Sequence, residues 1–306
     1  MVDTINININ ITPDEVFYVS EKLTKRHRIN NDEGDQKIEG MFHNFKIRLF
    51  RGMIYISGSL SKYYKGSNIY DLTLQEIREA INKLSGELNI NLLDAKITRI
   101  DIAANLEVKK ACHYYLNVLK GVPKFKKKGY SNSTLTFYTS RETITFYDKV
   151  KEVIKRKEDI PSFFRGKKFL RYELRMKSNL KNFFGKGIFV REMLTDNIYN
   201  TLINRWYKRF NDIEKNSVPT LGTIAENSTQ KDFMNRLLVA GIYSIGYNNL
   251  LEELESSRDC LSKNNYSRIK QRLKELTNNN DYFPNDKIIT EINNLVTKIA
   301  EKNGIV

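Results

Sequence analysis

The sequence has few cysteines and no long apolar segment. Its 306 residues contain two cysteines, Cys112 and Cys260, which form neither a CxxC pair nor a dense framework. This scarcity excludes a disulfide-stapled scaffold and predicts free thiols in a reducing cytoplasm. The longest apolar run, around residues 237–245, is far shorter than the roughly 20 residues of a membrane span, and the N-terminus lacks a basic region followed by an apolar core. We therefore expect a cytoplasmic protein with no membrane partner.

Acidic residues are scarce relative to basic ones. Lysine and arginine number 51 against 36 aspartates and glutamates, which gives a formal net charge of +15 and an isoelectric point near 9.5. A surface of this charge attracts polyanions, and nucleic acid is the foremost partner class. Charge alone is also compatible with a basic protein that has no polyanionic ligand. The chemistry must therefore be sought in particular residues.

Hydrophobic periodicity predicts an α+β fold. An apolar residue at every second position indicates a half-buried strand, and apolar residues three and four positions apart indicate a helix. The predicted strands cover residues 5–10, 44–59 (two strands turning at Arg51 and Gly52), 96–107, 133–139, 142–148 and 168–177. The predicted helices cover residues 71–88 and 109–119, and a basic helix begins at Lys149. This order favours a mainly antiparallel central sheet with helices on one face and the other face open to solvent or ligand.

The pattern becomes helical beyond about residue 190. Helices are predicted at 229–257, 265–277 and 285–302. We therefore expect two regions, residues 1–190 and residues 191–306. Basic residues between Arg268 and Lys274 are compatible with a helix-turn-helix reader of duplex DNA and with ordinary helical packing.

Two predicted strands carry a carboxylate on the polar face. In the strand at 96–107, alternation sends Asp101 to the same face as Arg99. In the strand at 168–177, it sends Glu173 to a face shared with cations, namely Arg171, Arg175 and Lys177. Each carboxylate is interpreted either as an ion-pair partner on an exposed sheet or as a metal ligand beside phosphate-binding cations.

A tyrosine ends the strand between these two. Tyr147 shares a face with Thr145 and Lys149, and its hydroxyl is placed to meet a phosphate. Most of the 17 tyrosines are expected to be packing residues. The combination matters more, because cutting DNA by transesterification needs a hydroxyl nucleophile, a divalent ion and carboxylates that hold the ion. If the three strands are neighbours, Tyr147 supplies the hydroxyl, and Asp101 and Glu173 supply the carboxylates that hold the ion, over a basic surface.

These residues resemble a known family, the rolling-circle replication initiators of filamentous phages (gene II/X type) and related plasmids. The resemblance covers about residues 53–187. It runs in order through Gly58-Ser59-x-x-Lys62 with Gly66 and Asn68, Arg99-Ile100-Asp101, Tyr147-x-Lys149-x-x-Glu152, Arg171-Tyr172-Glu173-Leu174-Arg175-Met176-Lys177 and Leu180-x-x-Phe183. Each motif is short, so the specificity lies in their joint order.

The resemblance implies a site-specific nicking-closing endonuclease. Tyr147 would attack DNA at a replication origin, retain the 5′-phosphate and free a 3′-hydroxyl that primes synthesis. Asp101 and Glu173 would be metal ligands, and Lys149 and Lys151 would position the scissile phosphate. Residues 1–190 would form the catalytic domain and residues 191–306 an accessory or DNA-binding region.

The metal implied by the resemblance is Mg²⁺ or Mn²⁺. Many nickases use a His-hydrophobic-His motif, but His27, His43 and His113 are isolated in this sequence, which excludes that subtype. Carboxylate ligands favour hard cations over Zn²⁺. Two ligands are few, so we expect a third from another residue, from water or from DNA phosphate.

Further residues are expected to contact DNA, and one alternative nucleophile stays open. Tyr138 lies on the polar face of the preceding strand and is the second candidate for the nucleophile. A run of basic and aromatic residues at 124–130 is predicted to be a loop suited to phosphate contact and base stacking. The expected DNA-binding residues are Lys62, Asn68, Arg99, Lys126, Lys127, Lys128, Arg171, Arg175 and Lys177.

Two other function classes remain under consideration. One is a non-catalytic protein that binds single-stranded nucleic acid, in which Asp101 and Glu173 are only ion-pair partners. The other is a relaxase-like mobilisation protein. The expected partners of an initiator are origin DNA, single-stranded or locally melted, together with a host helicase and polymerase. The sequence leaves the oligomeric state open.

Overall fold

The fold is α+β, as the hydrophobic periodicity predicts. The computed structural model describes residues 1–30, 36–131, 133–177, 180–216, 229–245, 247–278 and 285–305. Its main feature is a ten-stranded antiparallel sheet, and its C-terminal region is helical. No helix in these parts of the chain is long and apolar enough to cross a membrane.

The strands follow one another mainly through hairpins. The strands are β1 (Val2–Asn10), β2 (Thr24–Asn30), β3 (Gln36–Phe42), β4 (Phe45–Phe50), β5 (Met53–Ser59), β6 (Lys96–Glu107), β7 (Leu119–Gly121), β8 (Lys126–Ser131), β9 (Thr134–Tyr138), β10 (Glu142–Asp148), β11 (Phe169–Met176) and β12 (Glu214–Lys215). The large sheet has the order β2-β3-β4-β5-β1-β6-β11-β10-β9-β8. This order places β6, β11 and β10 side by side in its middle.

The helices lie between the hairpins and after the sheet. The helices are α1 (Pro13–Lys22), α2 (Leu60–Lys65), α3 (Leu74–Leu88), α4 (Cys112–Val118), α5 (Lys149–Lys155), α6 (Lys181–Phe184), α7 (Val190–Met193), α8 (Asp196–Asn211), α9 (Gln230–Ile245), α10 (Tyr247–Ser256), α11 (Lys263–Asn278) and α12 (Asn285–Lys302). Capping boxes begin α1 at Thr12 and α3 at Thr73, because each threonine exchanges hydrogen bonds with a glutamate three residues later.

The chain forms two compact units. The first comprises Met1–Cys112, Gly121–Ile213 and Leu295–Val306, and it contains the ten-stranded sheet. The second comprises His113–Lys120 and Glu214–Asn294. In the second unit, α9 and α11 pack through a small apolar cluster of Val239, Ile242 and Leu276. The functional boundary at residue 190 stays a prediction.

One face of the sheet forms the main core. Tyr172 of β11 stacks on Phe146 of β10, with ring centroids 4.6 Å apart, and on Trp206 of α8 at 4.7 Å. The Tyr172 hydroxyl donates a 2.9 Å hydrogen bond to the carbonyl oxygen of Trp206, which satisfies its buried polar atom. Helix α8 therefore packs against this face at Tyr172.

Most predicted elements agree closely with the observed ones. The strands at 96–107 and 142–148 and the helix at 285–302 have the predicted bounds. The hairpin between β4 and β5 turns at Arg51 and Gly52, whose positive φ values of 48° and 68° are those of a two-residue type I′ turn. The helix predicted at 109–119 is shorter, at 112–118, and the stretch 229–257 holds two helices, α9 and α10.

Two expectations about the sheet are wrong. The basic run at 124–130 is not wholly a loop, because residues 126–131 form the edge strand β8, where lysine side chains reach solvent while the backbone pairs with β9. The polar face is not fully open either. Asn68 and Ile69, which follow α2, accept hydrogen bonds from Arg171 and Asn105 on that face, so the segment after α2 covers part of it.

Candidate active site

The sheet brings the three chemistry-bearing strands together. In β10 and β11, Tyr147 pairs with Arg171 and Thr145 with Glu173; in β11 and β6, Arg175 pairs with Asp101. Tyr147, Glu173 and Asp101 all line one cavity of about 550 Å³ on the polar face. The other residues that line it are Asp3, Thr4, Met41, His43, Asn44, Ser59, Lys62, Asn68, Glu152, Arg156 and Arg175.

Two arginines neutralise Asp101. Its side chain is buried, although it lies on the polar face as predicted. The Arg99 Nε donates to Oδ1 at 2.8 Å, and the second nitrogen of that guanidinium bonds Oδ2. Arg175 approaches from the neighbouring strand, with its Nε 3.1 Å from Oδ2. Both carboxylate oxygens of Asp101 are thus engaged by guanidinium groups.

Arg175 also links Asp101 to Glu173. Its Nη2 donates a 3.0 Å hydrogen bond to Glu173 Oε1, so one guanidinium bridges both carboxylates. Burial, and then the negative charge of Asp101, raise the pKa of Glu173 to about 7, against the lowering effect of Arg171 and Arg175. Burial thus favours the protonated form of Glu173 more than the two arginines favour its carboxylate.

Asp3 is a site residue that the sequence reasoning missed. Its Oδ1 accepts a 2.5 Å hydrogen bond from Ser59, and its Oδ2 accepts a 2.6 Å hydrogen bond from Arg171. The pairing of β1 with β6 shifts register between Val2 and Thr4, and this bulge places Asp3 beside Thr4 at the cavity. Strict alternation would place Asp3 on the core face, and a carboxylate at a core position was the available signal.

Arg171 lies inside the protein. Its side chain is 1 % exposed, and it donates hydrogen bonds to Asp3, to the Asn68 carbonyl oxygen at 3.1 Å and to Asn105 Oδ1 at 3.2 Å. The expectation that Arg171 contacts DNA is therefore corrected, because its guanidinium is enclosed by protein groups. It compensates the buried charge of Asp3 instead.

Tyr147 presents its hydroxyl to the cavity. The residue is half-buried, and no residue in the described parts of the chain forms a hydrogen bond with this hydroxyl. Burial raises the pKa of Tyr147 above its ordinary value; Arg171 opposes this rise, and Glu173 adds to it. The hydroxyl is thus protonated at neutral pH and would need a proton acceptor to become a nucleophile.

Lys149 is buried beneath the cavity rather than lining it. Its ammonium donates hydrogen bonds to Asn68 Oδ1 at 2.7 Å and to Glu152 Oε2 at 2.5 Å. Burial and then the charge of Arg171 lower the pKa of Lys149. Since both hydrogen-bond acceptors line the cavity, Lys149 acts as a positioning residue for Asn68 and Glu152.

The remaining predicted residues lie at different distances from Tyr147. Lys62 lines the cavity and forms a 2.6 Å ion pair with Glu158. Lys151 points to solvent at the start of α5, outside the cavity. Tyr138 pairs with Thr143, four residues along β10 from Tyr147, an offset of about 14 Å. Four other predicted DNA-binding residues do not line the cavity: Lys177 and the edge-strand lysines Lys126, Lys127 and Lys128.

The site offers oxygen ligands of the kind that a hard divalent cation prefers. The carboxylates of Asp3, Asp101 and Glu173 share the cavity, and Asp101 and Glu173 are joined through Arg175. Among the described residues, however, no three His, Cys, Asp or Glu side chains form a group close enough to hold a metal. The donors fit Mg²⁺ or Mn²⁺ in chemical type, and further ligands would have to come from water or phosphate.

Comparisons with known proteins identify a family. A family model that describes the N-terminal region of a phage replication-associated protein matches residues 1–196. No curated protein matches the sequence. A solved structure, the di-domain ARO/CYC StfQ from the steffimycin biosynthetic pathway, is 10 % identical, with coverage of 79 % of this chain and 97 % of that chain and a TM-score of 0.22. So low a score carries no argument about fold or function.

Proposed function

Because the chain belongs to this family of phage replication-associated proteins, whose N-terminal region it matches, we propose that it initiates rolling-circle replication as a tyrosine nickase. It would cut one strand at an origin, remain attached to the 5′-phosphate and leave a 3′-hydroxyl as primer. It would later rejoin the strand by the reverse reaction.

One observation carries this proposal. The hydroxyl of Tyr147 shares a cavity with Asp3, Asp101 and Glu173, and no described residue engages that hydroxyl. The same cavity is lined by Lys62, Arg156 and Arg175. A nucleophile, carboxylates and phosphate-binding cations thus surround a space that is open to a DNA backbone.

The proposed reaction is a transesterification. The Tyr147 oxygen forms a bond to phosphorus, and the bond from phosphorus to the 3′-oxygen breaks. The tyrosine proton passes to a cavity carboxylate, and the departing 3′-oxygen takes up a proton from water to become the hydroxyl. Lys149 holds Asn68 and Glu152 in place during these changes, and Arg156 and Lys62 contact the phosphates that flank the cut.

Asp101 and Glu173 would hold Mg²⁺ or Mn²⁺, with further ligands from water or DNA phosphate. When bound, the ion would polarise a non-bridging phosphate oxygen and stabilise the charge that develops there. Arg99 and Arg175 occupy the oxygens of Asp101 in the described arrangement. The guanidinium of Arg175 would therefore have to release Asp101, and it could then bind phosphate.

The proposed partners follow from charge and reaction. Single-stranded or locally melted origin DNA is the substrate, and the net charge of +15 attracts it. A host helicase would unwind the duplex from the nick onward, ahead of a host polymerase that extends the 3′-hydroxyl. The host cytoplasm is the proposed location.

One observation favours a second function, the non-catalytic binding of single-stranded nucleic acid. The ion pairs that link Asp101 to Arg99 and Arg175 are those expected of a binding protein whose acidic residues only balance cations. Such a protein would bind single-stranded nucleic acid and break no bond. It would also bind without a metal.

A covalent-adduct assay separates the two functions. The purified protein is incubated with labelled single-stranded DNA that carries its replicon's origin, with Mg²⁺ or Mn²⁺, and denatured in SDS. We expect an adduct with the wild type and none with Tyr147→Phe. Tyr138→Phe is the matched control, because it removes a hydroxyl from the same face of the sheet outside the cavity.

The outcomes are distinct. If the adduct is lost only in Tyr138→Phe, the protein is a nickase whose nucleophile is Tyr138. Tight binding of a verified origin without an adduct from any of the three proteins would replace the nickase with the binding protein. Chelation of the divalent ion should abolish the adduct and leave binding in place.

A further inference from the structure

A second cavity lies on the opposite face of the sheet. Its volume is also about 550 Å³, and it shares no lining residue with the tyrosine cavity. Glu142 lies at its base and begins β10, the strand that ends near Tyr147. The two residues are five positions apart, about 17 Å along the strand, and their side chains leave opposite faces. We call this cavity the Glu142 pocket.

Glu142 fixes two arginines in the pocket. Its carboxylate is 3 % exposed and accepts hydrogen bonds from Arg205 Nε at 2.6 Å and from Arg209 Nε and Nη2 at 3.0 and 2.8 Å. The arginines lie one helical turn apart on α8, and Arg209 Nη1 also bonds Asp212 at 2.7 Å. The guanidinium planes are thus oriented before any ligand arrives.

The pocket carries an excess of positive charge. Four cations line it, Lys124, Arg141, Arg205 and Arg209, against two acids, Glu142 and Asp212. Lys124 and Arg141 are exposed, and their side chains form no ion pair or hydrogen bond with any described residue. The terminal nitrogens of Arg205 likewise have no described partner. The pocket therefore offers an anion several cationic donors that no described residue occupies.

Two aromatic rings support the arginines. The guanidinium carbon of Arg205 lies 4.3 Å from the ring centroid of Phe183, and that of Arg209 lies 5.4 Å from the centroid of Phe125. Guanidinium planes and aromatic rings are the surfaces on which unpaired bases stack. The volume is within the range of small-ligand sites and accommodates a nucleotide. The chemistry fits a phosphate and an unstacked base.

We propose that the Glu142 pocket binds a nucleotide of single-stranded DNA that flanks the segment at Tyr147. This inference rests on the proposed function only for the identity of the flanking strand. The segment from Lys124 and Phe125 leads directly into β8, the edge strand of the sheet. The register of β8 with β9 directs Lys126 and Lys128 to the face of Tyr147 and Lys127 to the face of the pocket. A basic edge thus joins the two sites.

Salt-dependent binding tests the pocket. Full-length protein is titrated with fluorescent oligodeoxythymidylate at several salt concentrations, by anisotropy. The variant Lys124→Gln/Arg141→Gln removes the two unpartnered cations. We expect the slope of log K against log salt to become shallower by about 1.4, since each lost phosphate contact to a single strand contributes about 0.7. With an oligonucleotide too short to reach from one cavity to the other, the variant should change this slope less.

A second double variant controls for the loss of net charge. Arg165→Gln/Lys298→Gln also removes one arginine and one lysine at exposed positions outside both cavities. Its slope should match that of the wild type. In addition, Arg205→Lys keeps the charge but loses the planar guanidinium, so it should weaken binding by about tenfold or more, the effect of one lost base stack, with little change in slope.

The outcomes separate this inference from the proposed function. If Lys124→Gln/Arg141→Gln binds long oligodeoxythymidylate with the affinity and salt slope of the wild type or of the charge control, the proposal that the pocket binds a nucleotide is wrong. A weakened pocket variant would support it even if no tyrosine adduct forms, in which case the nickase alone fails. Conversely, an origin adduct that persists with unaltered DNA affinity in the pocket variant would keep the nickase and reject the pocket.

Discussion

The buried ion pair between Asp3 and Arg171 should dominate the stability of the site. The two side chains are 9 % and 1 % exposed, and their charged atoms are 2.6 Å apart. Replacement of Arg171 by methionine leaves the Asp3 carboxylate uncompensated and removes donors from Asn68 and Asn105. Removal of one partner of a buried pair costs about 3–5 kcal/mol. We expect Arg171→Met to lower the free energy of unfolding by this amount.

A double-mutant cycle isolates the pair. In Asp3→Asn/Arg171→Met, no buried carboxylate is left at position 3. The double variant should therefore lose at least about 2 kcal/mol less unfolding free energy than the two single variants lose together. The pair of Asp94 with Arg191 is a matched control, because its 2.6 Å separation is the same but its side chains are 46 % and 60 % exposed. Its coupling should stay below about 1 kcal/mol.

Urea denaturation provides the measurement. Trp206 is the only tryptophan and is fully buried in the unit that holds the site, so its fluorescence reports the unfolding of that unit. Equal coupling energies for the buried and the exposed pair would refute the reasoning. So would an Arg171→Met variant that loses less than about 1 kcal/mol.

Three further predictions concern the protein's titrating groups, packing and thiols. The folded pKa of Glu173 is about 7 against an ordinary 4.5, so the native state binds more protons between these two pH values. The free energy of unfolding should therefore fall by up to about 3 kcal/mol as pH rises from 4.5 to 7. Urea denaturation at about pH 5 and about pH 8 should show this fall in the wild type and not in Glu173→Gln. Gly58→Ala should be destabilising by thermal melting, since its Cβ would lie 2.5 Å from Phe45 Cδ1, whereas Gly86→Ala, with open space around it, should not be. Burial raises the pKa of Cys112 to about 12, so iodoacetamide should label only the exposed Cys260 in the native protein and both thiols after denaturation.

The alternating strands were predictable because their periodicity is local. The pattern of residues 96–107 and 142–148 directly encodes which side chains share a face, and the observed sheet keeps Asp101, Glu173 and Tyr147 on one face. Their degree of burial was not encoded there. It depends on the segment after α2, which lies far away in sequence and covers part of that face.

Two acidic residues show where periodicity fails. Asp3 reaches the cavity through a β-bulge, and a one-residue insertion in the pairing leaves no mark on the alternation itself. Glu142 follows the alternation and lies on the core face, but its two arginine partners come from α8, some 63 and 67 residues later. Long-range partners of this kind follow from the tertiary fold and not from the pattern of either element.

The two outer strands of the sheet have a consequence for handling the protein. An unpaired strand edge is a template for pairing with another chain, and closely spaced positive charges oppose such pairing. Strand β8 carries Lys126, Lys127 and Lys128 at one edge, and β2 carries a basic run over residues 25–28 at the other. Like-charged edges repel each other at low ionic strength and less so in concentrated salt. Salt used to strip nucleic acid from the protein would therefore also weaken its protection against edge-to-edge aggregation.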